Sequence, residues 1–548
     1  MCVKQRSSKI EEIPKWVLLG YFFIMLGFFP LSYRLQYRNM GDLKYQIFTV
    51  TTLLYLICSF SIGIFMEPSI KKKGKMKNKP LDGIVFLFLM VNGVSYLFAS
   101  DKQMGFWGSG GWFMGLFTVL LLLGSYFAIE KNLEYLKEDA ESIRKWGIKI
   151  LLISSFFVYL VAVLHRFGVD PLGIYGNLPE RYRVEFLSTI GQSSWYSSFL
   201  CTVWPVGLYL FYQEENSLKR VGYGLYVVVG AMSLVSQNTD TAFLSLAAIF
   251  MVLFYLCQEE QRGRKRWLQC VLLVLASFRF MGVLQLIFSK HMVPLEQLSI
   301  CMSQGRLVTV LLILTILLYG TGQLLERSSH EKFHIILKKG DTFLTKRKLF
   351  YTLCILAGLF LIGTILFIVL NTTGVLQKSF GMEIQNPFLY FNEMWGNLRG
   401  FIWRISVDYY RELSPMRKFI GVGPDCYSAY TIVAPQIGEQ IEAFFTDLRL
   451  TNAHNEYLTK LIDLGMVGLF SYGSIFIVAM RSFYKERRQT PFMGCMMLVI
   501  VSYCVHNIFC YEQVCSTAIF YIILAIGNSY VHNREENCGS VWKNREQS

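Results

Sequence analysis

The sequence predicts an all-α polytopic membrane protein of about 12–14 transmembrane helices, with one large extracytoplasmic loop folded partly as helices. Three observations predict it. Hydrophobic residues fill 53% of the 548 positions, and mean hydropathy is +0.39. Apolar runs close to the ~20 residues that a helix needs to cross a bilayer recur from end to end. Lysine and arginine collect in alternate connections, as the positive-inside bias requires.

The runs come in order as Trp16–Ser32, Tyr45–Met66, Leu81–Ser100, Trp112–Ile129, Ile148–His165, Ser194–Tyr212 and Tyr223–Ser236. Then follow Thr241–Cys257, Trp267–Phe288, Leu307–Leu325, Leu349–Leu370, Leu458–Met480, Phe492–Cys510 and Ser516–Val531. Tyr223–Ser236 is short for a full crossing. The first run follows a basic N-terminus, is long, and precedes no small-residue cleavage site, so it reads as a retained span. With both termini in the cytoplasm, the basic connections are Lys71–Lys79, Lys131–Lys145, Arg262–Arg266, Arg327–Lys348 and Arg481–Arg488. Roughly two-thirds of the 53 basic residues then lie on one side, which accounts for most of the +15 net charge without a nucleic-acid partner.

Most of the thirteen cysteines sit within apolar runs (Cys58, Cys201, Cys257, Cys270, Cys354, Cys495, Cys504), where they act as small hydrophobes. No CxxC pair or Cys/His ligand spacing occurs, so no zinc site is expected. Cys510 and Cys515 flank a short outer turn and either pair or stay free.

Two outer connections are long, Arg166–Gln192 and Asn371–Ala453. The second lacks repeats, and a loop of that length is usually functional. Its aromatic content (Phe388, Tyr390, Phe391, Trp395, Phe401, Trp403) is too high for a disordered linker. Three regions follow: residues 1–370 as a bundle of about eleven spans, 371–457 as a large extracytoplasmic loop, and 458–548 as C-terminal helices with a cytoplasmic tail.

Within the loop, Asn392–Leu413 reads as an amphipathic helix. Trp395, Leu398, Ile402, Ile405 and Tyr409 recur at helical spacing, and Ser414-Pro415 ends it. Arg399 and Arg404 lie on its first turns. Arg404 has Asp408 four residues on, so a surface ion pair competes with any role in binding. Arg399 has Trp403 there instead, and a guanidinium can hold two phosphate oxygens at once. Gly421-Val422-Gly423-Pro424-Asp425 is a tight turn whose glycines would also admit close backbone approach. Beyond it, His454 stands at the junction of loop and apolar helix. Histidine exchanges a proton near neutral pH, which suits a base; capping or anchoring the helix is the competing reading.

Taken in order, Arg399-x-x-x-Trp403, Gly421-x-Gly423-Pro424, His454-Asn455-Glu456-Tyr457-Leu458 and Gly465-x-x-Gly468 resemble the O-antigen ligase/O-antigen polymerase superfamily. The resemblance is good over about Trp395–Tyr472 and weaker over Arg181–Pro205, where Arg183 and the stretch Ser188–Gln192 look like the family's other outer-loop arginine and following span. It implies a bacterial glycosyltransferase in the cytoplasmic (inner) membrane, acting on glycans carried by undecaprenyl diphosphate. It further implies His454 as the catalytic group, with Arg399, Arg183 and Arg404 as substrate-binding candidates, and no metal or other cofactor. Membrane lipids would surround it, and a flippase and a chain-length regulator are partners compatible with that role. The chain departs from the pattern at Ser193-Ser194 and at Ser236-Gln237-Asn238-Thr239-Asp240, which leaves polymerase and ligase both open.

Mechanistically, the donor's leaving group is already activated. The protein has to stabilise the departing diphosphate and take a proton from the acceptor hydroxyl. Each residue has a plainer alternative. Arg183 has Glu180 and Glu185 beside it, and Arg399 could anchor to headgroups. Glu456 could orient His454 or face solvent. Gly465, Gly468, Ser471 and Gly473 fit close helix packing, and Arg279 is an intramembrane charge that a buried partner would explain. His330, His334 and His532 fall on the cytoplasmic side and His506 within a span. A lipid-linked oligosaccharide flippase is the competing function of another class, but it predicts compact loops.

Overall fold

A computed structural model describes residues 2–70, 79–258, 262–327, 348–382, 384–386, 388–446 and 449–531. The basic runs before Lys79 and between Arg327 and Lys348, with His330, His334 and His532, lie outside the described residues. Helices make up most of the described residues. Among the described residues ten helical stretches are long and apolar enough to cross a membrane, one of them the 51-residue stretch Leu116–Arg166, and Thr241–Cys257 and Phe492–His506 are shorter apolar helices.

The bundle is built from α1 (Cys2–Phe22, continuing through one wide π turn), α2 (Met40–Ile70), α3 (Pro80–Leu97), α4 (Leu116–Leu136) and α5 (Ala140–Arg166). It continues with α6 (Ser193–Gln213), α7 (Ser217–Ser236), α8 (Thr241–Cys257), α9 (Gly263–Ile287), α10 (Arg306–Arg327) and α11 (Lys348–Thr372). Asn216 caps α7 by accepting from the Lys219 N–H, so this helix begins well before Tyr223 and reaches 20 residues. The short turn Lys137–Asp139 breaks Leu116–Arg166 into α4 and α5, a charged corner inside an otherwise continuous apolar stretch.

Beyond α11 comes α12 (Trp395–Glu412), then α13 (Glu456–Asp463), α14 (Gly465–Glu486), α15 (Phe492–His506) and α16 (Val514–Val531). The centre of the bundle is α6, α15 and α16. α15 packs on α6 and α8, while α16 lies against α4 and α6 and is sheathed along nearly its whole length. α11 is the opposite case, with its apolar length outward, as suits lipid contact.

The run Leu458–Met480 is not one helix. It divides at Leu464–Gly465, where Gly465 adopts φ +68° and a Cβ would come within 2.3 Å of the Phe419 backbone. The expectation that glycines here serve close helix packing fails at Gly473, which meets nothing within 4 Å, while Gly465 both makes a turn and admits the Phe419 backbone. Arg279 finds its partner at a helix end, donating to the Ser303 carbonyl at 3.0 Å.

The segment between α11 and α13 has a hydrophobic core of its own, including Phe401, Ile405, Tyr409, Tyr427, Tyr430, Ile437 and Ile441. Ile402, Ile405 and Tyr409 of the predicted apolar face are buried there. A two-residue hairpin, Phe186–Leu187 with Gly191–Gln192, supplies the only strands among the described residues.

Candidate active site

α12 starts later than its apolar periodicity predicts. Gly396, Asn397 and Leu398 hold left-handed backbone (φ +59° to +69°), so regular helix begins at Arg399. That strained entry turns Arg399 and Trp403, four apart on one face, towards the connection between α15 and α16. Arg399 Nε donates to the Phe509 carbonyl at 3.2 Å and Nη1 to Gly396 O at 2.7 Å. Trp403 lies against the Phe509 ring, centroids 5.6 Å apart. Arginine and tryptophan thus grip the main chain and the side chain of one residue.

His454 also has a left-handed backbone (φ +47°), costly for a residue with a Cβ and held only where its surroundings over-determine it. Three bonds do so. The His454 N–H donates to Asn452 Oδ1 at 3.0 Å, the Ala453 N–H to Thr459 Oγ1 at 3.1 Å, and Asn455 caps α13 by accepting from the Leu458 N–H at 3.1 Å. The capping role considered for His454 thus belongs to Asn455. Its half-buried imidazole stands edge-on to Tyr511, centroids 5.1 Å apart. Tyr511 leads on to Trp112 and Trp195, and its hydroxyl donates to Gln192 Oε1 at 3.0 Å. Burial, with the Arg399 charge adding, pushes the His454 pKa down to about 4, so the ring is neutral at physiological pH.

The positive field of Arg399 reaches His454, Tyr511, Asp240 and Glu296. Burial at the rim raises both Asp240 and Glu296, against the pull of Arg399. Asn238 Oδ1 accepts from the Glu296 N–H and so ties their two loops together. His506 is fully buried, its Nε2 2.9 Å from Ser197 Oγ.

Of the predicted arginines, Arg399 alone is brought into reach of His454 among the described residues. Arg183 lies over the Tyr175 ring at 5.5 Å, and its carbonyl accepts from the buried Arg166 at 3.2 Å. Arg166 also donates to the Val184 and Ser236 carbonyls, so one arginine pins the hairpin loop to the end of α7. Arg404 is exposed on the outer surface and paired with Glu393 at 2.8 Å and Asp408 at 3.7 Å. Its ion-pair reading is the one the geometry supports.

Behind the His454 loop lies a group of polar, mostly ionisable residues that only folding brings together. Asp425, Asn452, Glu456, Lys460, Asp463 and Glu512 line a cavity of about 20 Å³, large enough for one water molecule. Asp425 Oδ2 accepts from the Ser109 and Met114 N–H groups, at 2.6 and 3.0 Å. Even so, burial lifts its pKa to about 7. Burial also raises Glu456, against Lys460, and holds Asp463 well above the ordinary range. Asp463 Oδ1 is buried without a hydrogen-bond partner. Among the described residues, no three His, Cys, Asp or Glu side chains are placed to hold a metal ion. Cys510 and Cys515 are free thiols.

The Gly421–Gly423 turn packs on the C-terminal end of α13. The Val422 and Gly423 N–H groups donate to Ile462 O at 3.1 Å and Asp463 O at 2.9 Å, capping the C-terminus of α13. A Cβ on Gly421 (φ +82°) would stand 2.1 Å from the Asp463 carbonyl oxygen. The close approach is therefore to the protein's own helix.

Residues 297–473, which hold Arg399, the glycine turn and His454, match the family model described as O-antigen ligase. The matched segment supports the O-antigen ligase/polymerase superfamily. A search of curated proteins finds no match.

Proposed function

We propose that this O-antigen ligase-type protein polymerises glycan repeat units carried on undecaprenyl diphosphate, at the outer face of the bacterial cytoplasmic membrane. The observation that carries the reading is a neutral histidine, free of hydrogen bonds at its ring among the described residues, held in strained backbone beside an arginine within the family segment. The acceptor hydroxyl oxygen attacks the anomeric carbon as its bond to the diphosphate oxygen breaks. The electron pair leaves with the diphosphate, whose charge Arg399 stabilises. The hydroxyl proton goes to His454. Charge stabilisation by arginine replaces a metal ion in this scheme.

Two features support the outer-face assignment: basic residues concentrate at the other end of the bundle, and the connection with its own core lies at this one. Ligation of a finished glycan to another acceptor is the second reading, equally compatible with the matched family.

The test is purified protein in lipid, given a lipid-linked repeat unit with and without chelator. A ladder of products supports polymerisation, and a single transfer to an added acceptor supports ligation. Loss of all sugar transfer would remove the functional reading. For orientation, a cysteine introduced at Gln385 should react with an impermeant reagent in intact cells. Reaction only after lysis would reverse the topology.

A further inference from the structure

Three charges from two chain segments meet behind the site. Lys460 Nζ lies 2.9 Å from Glu456 Oε1 and 3.0 Å from Glu512 Oε2. All three residues are buried, at 6%, 2% and 7% exposure. The Glu512 N–H donates to Glu456 Oε2 at 2.7 Å, and Tyr472 and Tyr503 hydroxyls each donate to Glu512 Oε1 at 3.0 Å. The Glu456 N–H, in turn, donates to the Asn507 carbonyl at 2.9 Å. The triad therefore stitches the start of α13 to residues 507–512 through both side chains and backbone.

Stability is a poor explanation for such a triad. Desolvating three charges costs several kcal/mol per ion, and apolar side chains of the same volume often do as well. Its position is more informative. His454 stands two residues before Glu456. Tyr511, on which the imidazole rests, immediately precedes Glu512. Phe509, whose carbonyl anchors Arg399, stands three residues before Glu512. Base, ring partner and arginine anchor all hang from backbone that the triad clamps.

We infer that Lys460, bridging Glu456 and Glu512, is a positioning residue that sets His454 and Arg399 relative to one another. It touches neither substrate nor reacting atoms. Because the catalytic geometry tolerates little error, small displacement of the 507–512 segment would degrade both groups together. This inference rests on the glycosyl-transfer reading above.

Its test uses the full chain in lipid, with Glu512→Gln and Lys460→Met. Glu512→Gln keeps shape and an acceptor for both tyrosines while removing one charge. Lys460→Met removes the bridge itself. Both should lower kcat at least ~10-fold, as misplacement of catalytic groups does, and both should also raise the donor KM. Undecaprenyl diphosphate should bind these variants more weakly than wild type, with Glu512→Gln present in the membrane at wild-type amount. A merely structural role lowers the active fraction alone, so kcat would fall while KM and binding stayed unchanged; that result overturns the inference. A wild type that binds the lipid but transfers nothing sinks the functional reading, and the binding arm still decides the triad. A wild type that neither transfers nor binds sinks both.

Discussion

Each end of the helical bundle holds a lysine paired with carboxylates, and the two clusters are finished differently. At the end where α3 begins, Lys79 meets Glu130 at 2.8 Å, and Asn528 Nδ2 lies 2.7 to 2.8 Å from Glu130, Asp82 and Tyr126 oxygens, within reach of its two hydrogens. Tyr126 completes it by donating to Asp82 at 2.8 Å. Both carboxylates have firm partners there, although Asn528 Oδ1 is buried without one, and the network fastens α16 to α3 and α4. At the other end Lys460 is equally well paired, but Asp463 Oδ1, the His454 ring and part of Arg399 are left uncommitted. Native proteins satisfy nearly all buried polar atoms, so unmatched groups gathered in one place deserve a functional account. The difference separates a polar cluster that holds helices together from one that backs a reactive surface.

The largest effect that would break this comparison is at His454. His454→Ala should lower sugar transfer at least the ~10²-fold expected for losing a general base, with membrane protein amount unchanged. The pH profile sharpens the point. Only neutral imidazole accepts a proton, and burial holds the His454 pKa near 4. Activity should therefore persist through pH 6 and fall as pH drops towards about 4, well below the ordinary histidine value of about 6.5. A near-normal rate from His454→Ala, read as product on a gel, would reduce the residue to a structural one.

Arg399→Lys comes next. An ammonium keeps the charge but cannot reproduce a two-pronged fit or hold Phe509 O with the same atoms. Losing one charge-assisted hydrogen bond of ~1.5 kcal/mol or more predicts a fall of roughly tenfold in donor kcat/KM. Glu130→Gln, at the other end, is the matching control: it should lower thermal stability and leave donor KM alone. Equal donor kinetics in Arg399→Lys and wild type would remove Arg399 from the site. A raised donor KM in Glu130→Gln would erase the distinction between the two ends.

The helical architecture was legible, and Arg399 and His454 could be singled out as candidates, because both rest on local signals: apolar length, helical spacing and ordered motifs. The start of α12 was misread because Gly396-Asn397-Leu398 adopts left-handed backbone that apolar periodicity cannot register. The break at Gly465 was hidden by the apolar run around it. Lys460 and Asp463 were visible as charges at the head of that run, a signal that intramembrane ionisable residues usually deserve. Their partners Asp425 and Glu512 are distant in sequence, and only folding brings them together. Arg404 was ambiguous in sequence because its two acids, Glu393 and Asp408, sit on either side of it.

The smallest effect, and the one that tests the uncommitted atom directly, is at Asp463. Burial holds this carboxyl well above its ordinary range, with Asp425 adding and Lys460 opposing. An acid whose folded pKa is raised stabilises the fold below its unfolded pKa, and that contribution is lost as pH rises through the folded value. Above that value the ion must be buried with Oδ1 lacking a partner, or the proton must be retained against the solvent. Asparagine resembles the protonated form and never carries the charge. Asp463→Asn should therefore unfold at a higher temperature than wild type at pH 8, by a few degrees for ~1 kcal/mol. The gap should narrow as pH falls and close below about 4, where folded and unfolded carboxyls alike hold the proton. Thermal unfolding in detergent across that range reads both the sign and the slope. A wild type that is the more stable at pH 8 would mean that Asp463 is fully satisfied, and that the two ends of the bundle do not differ as described.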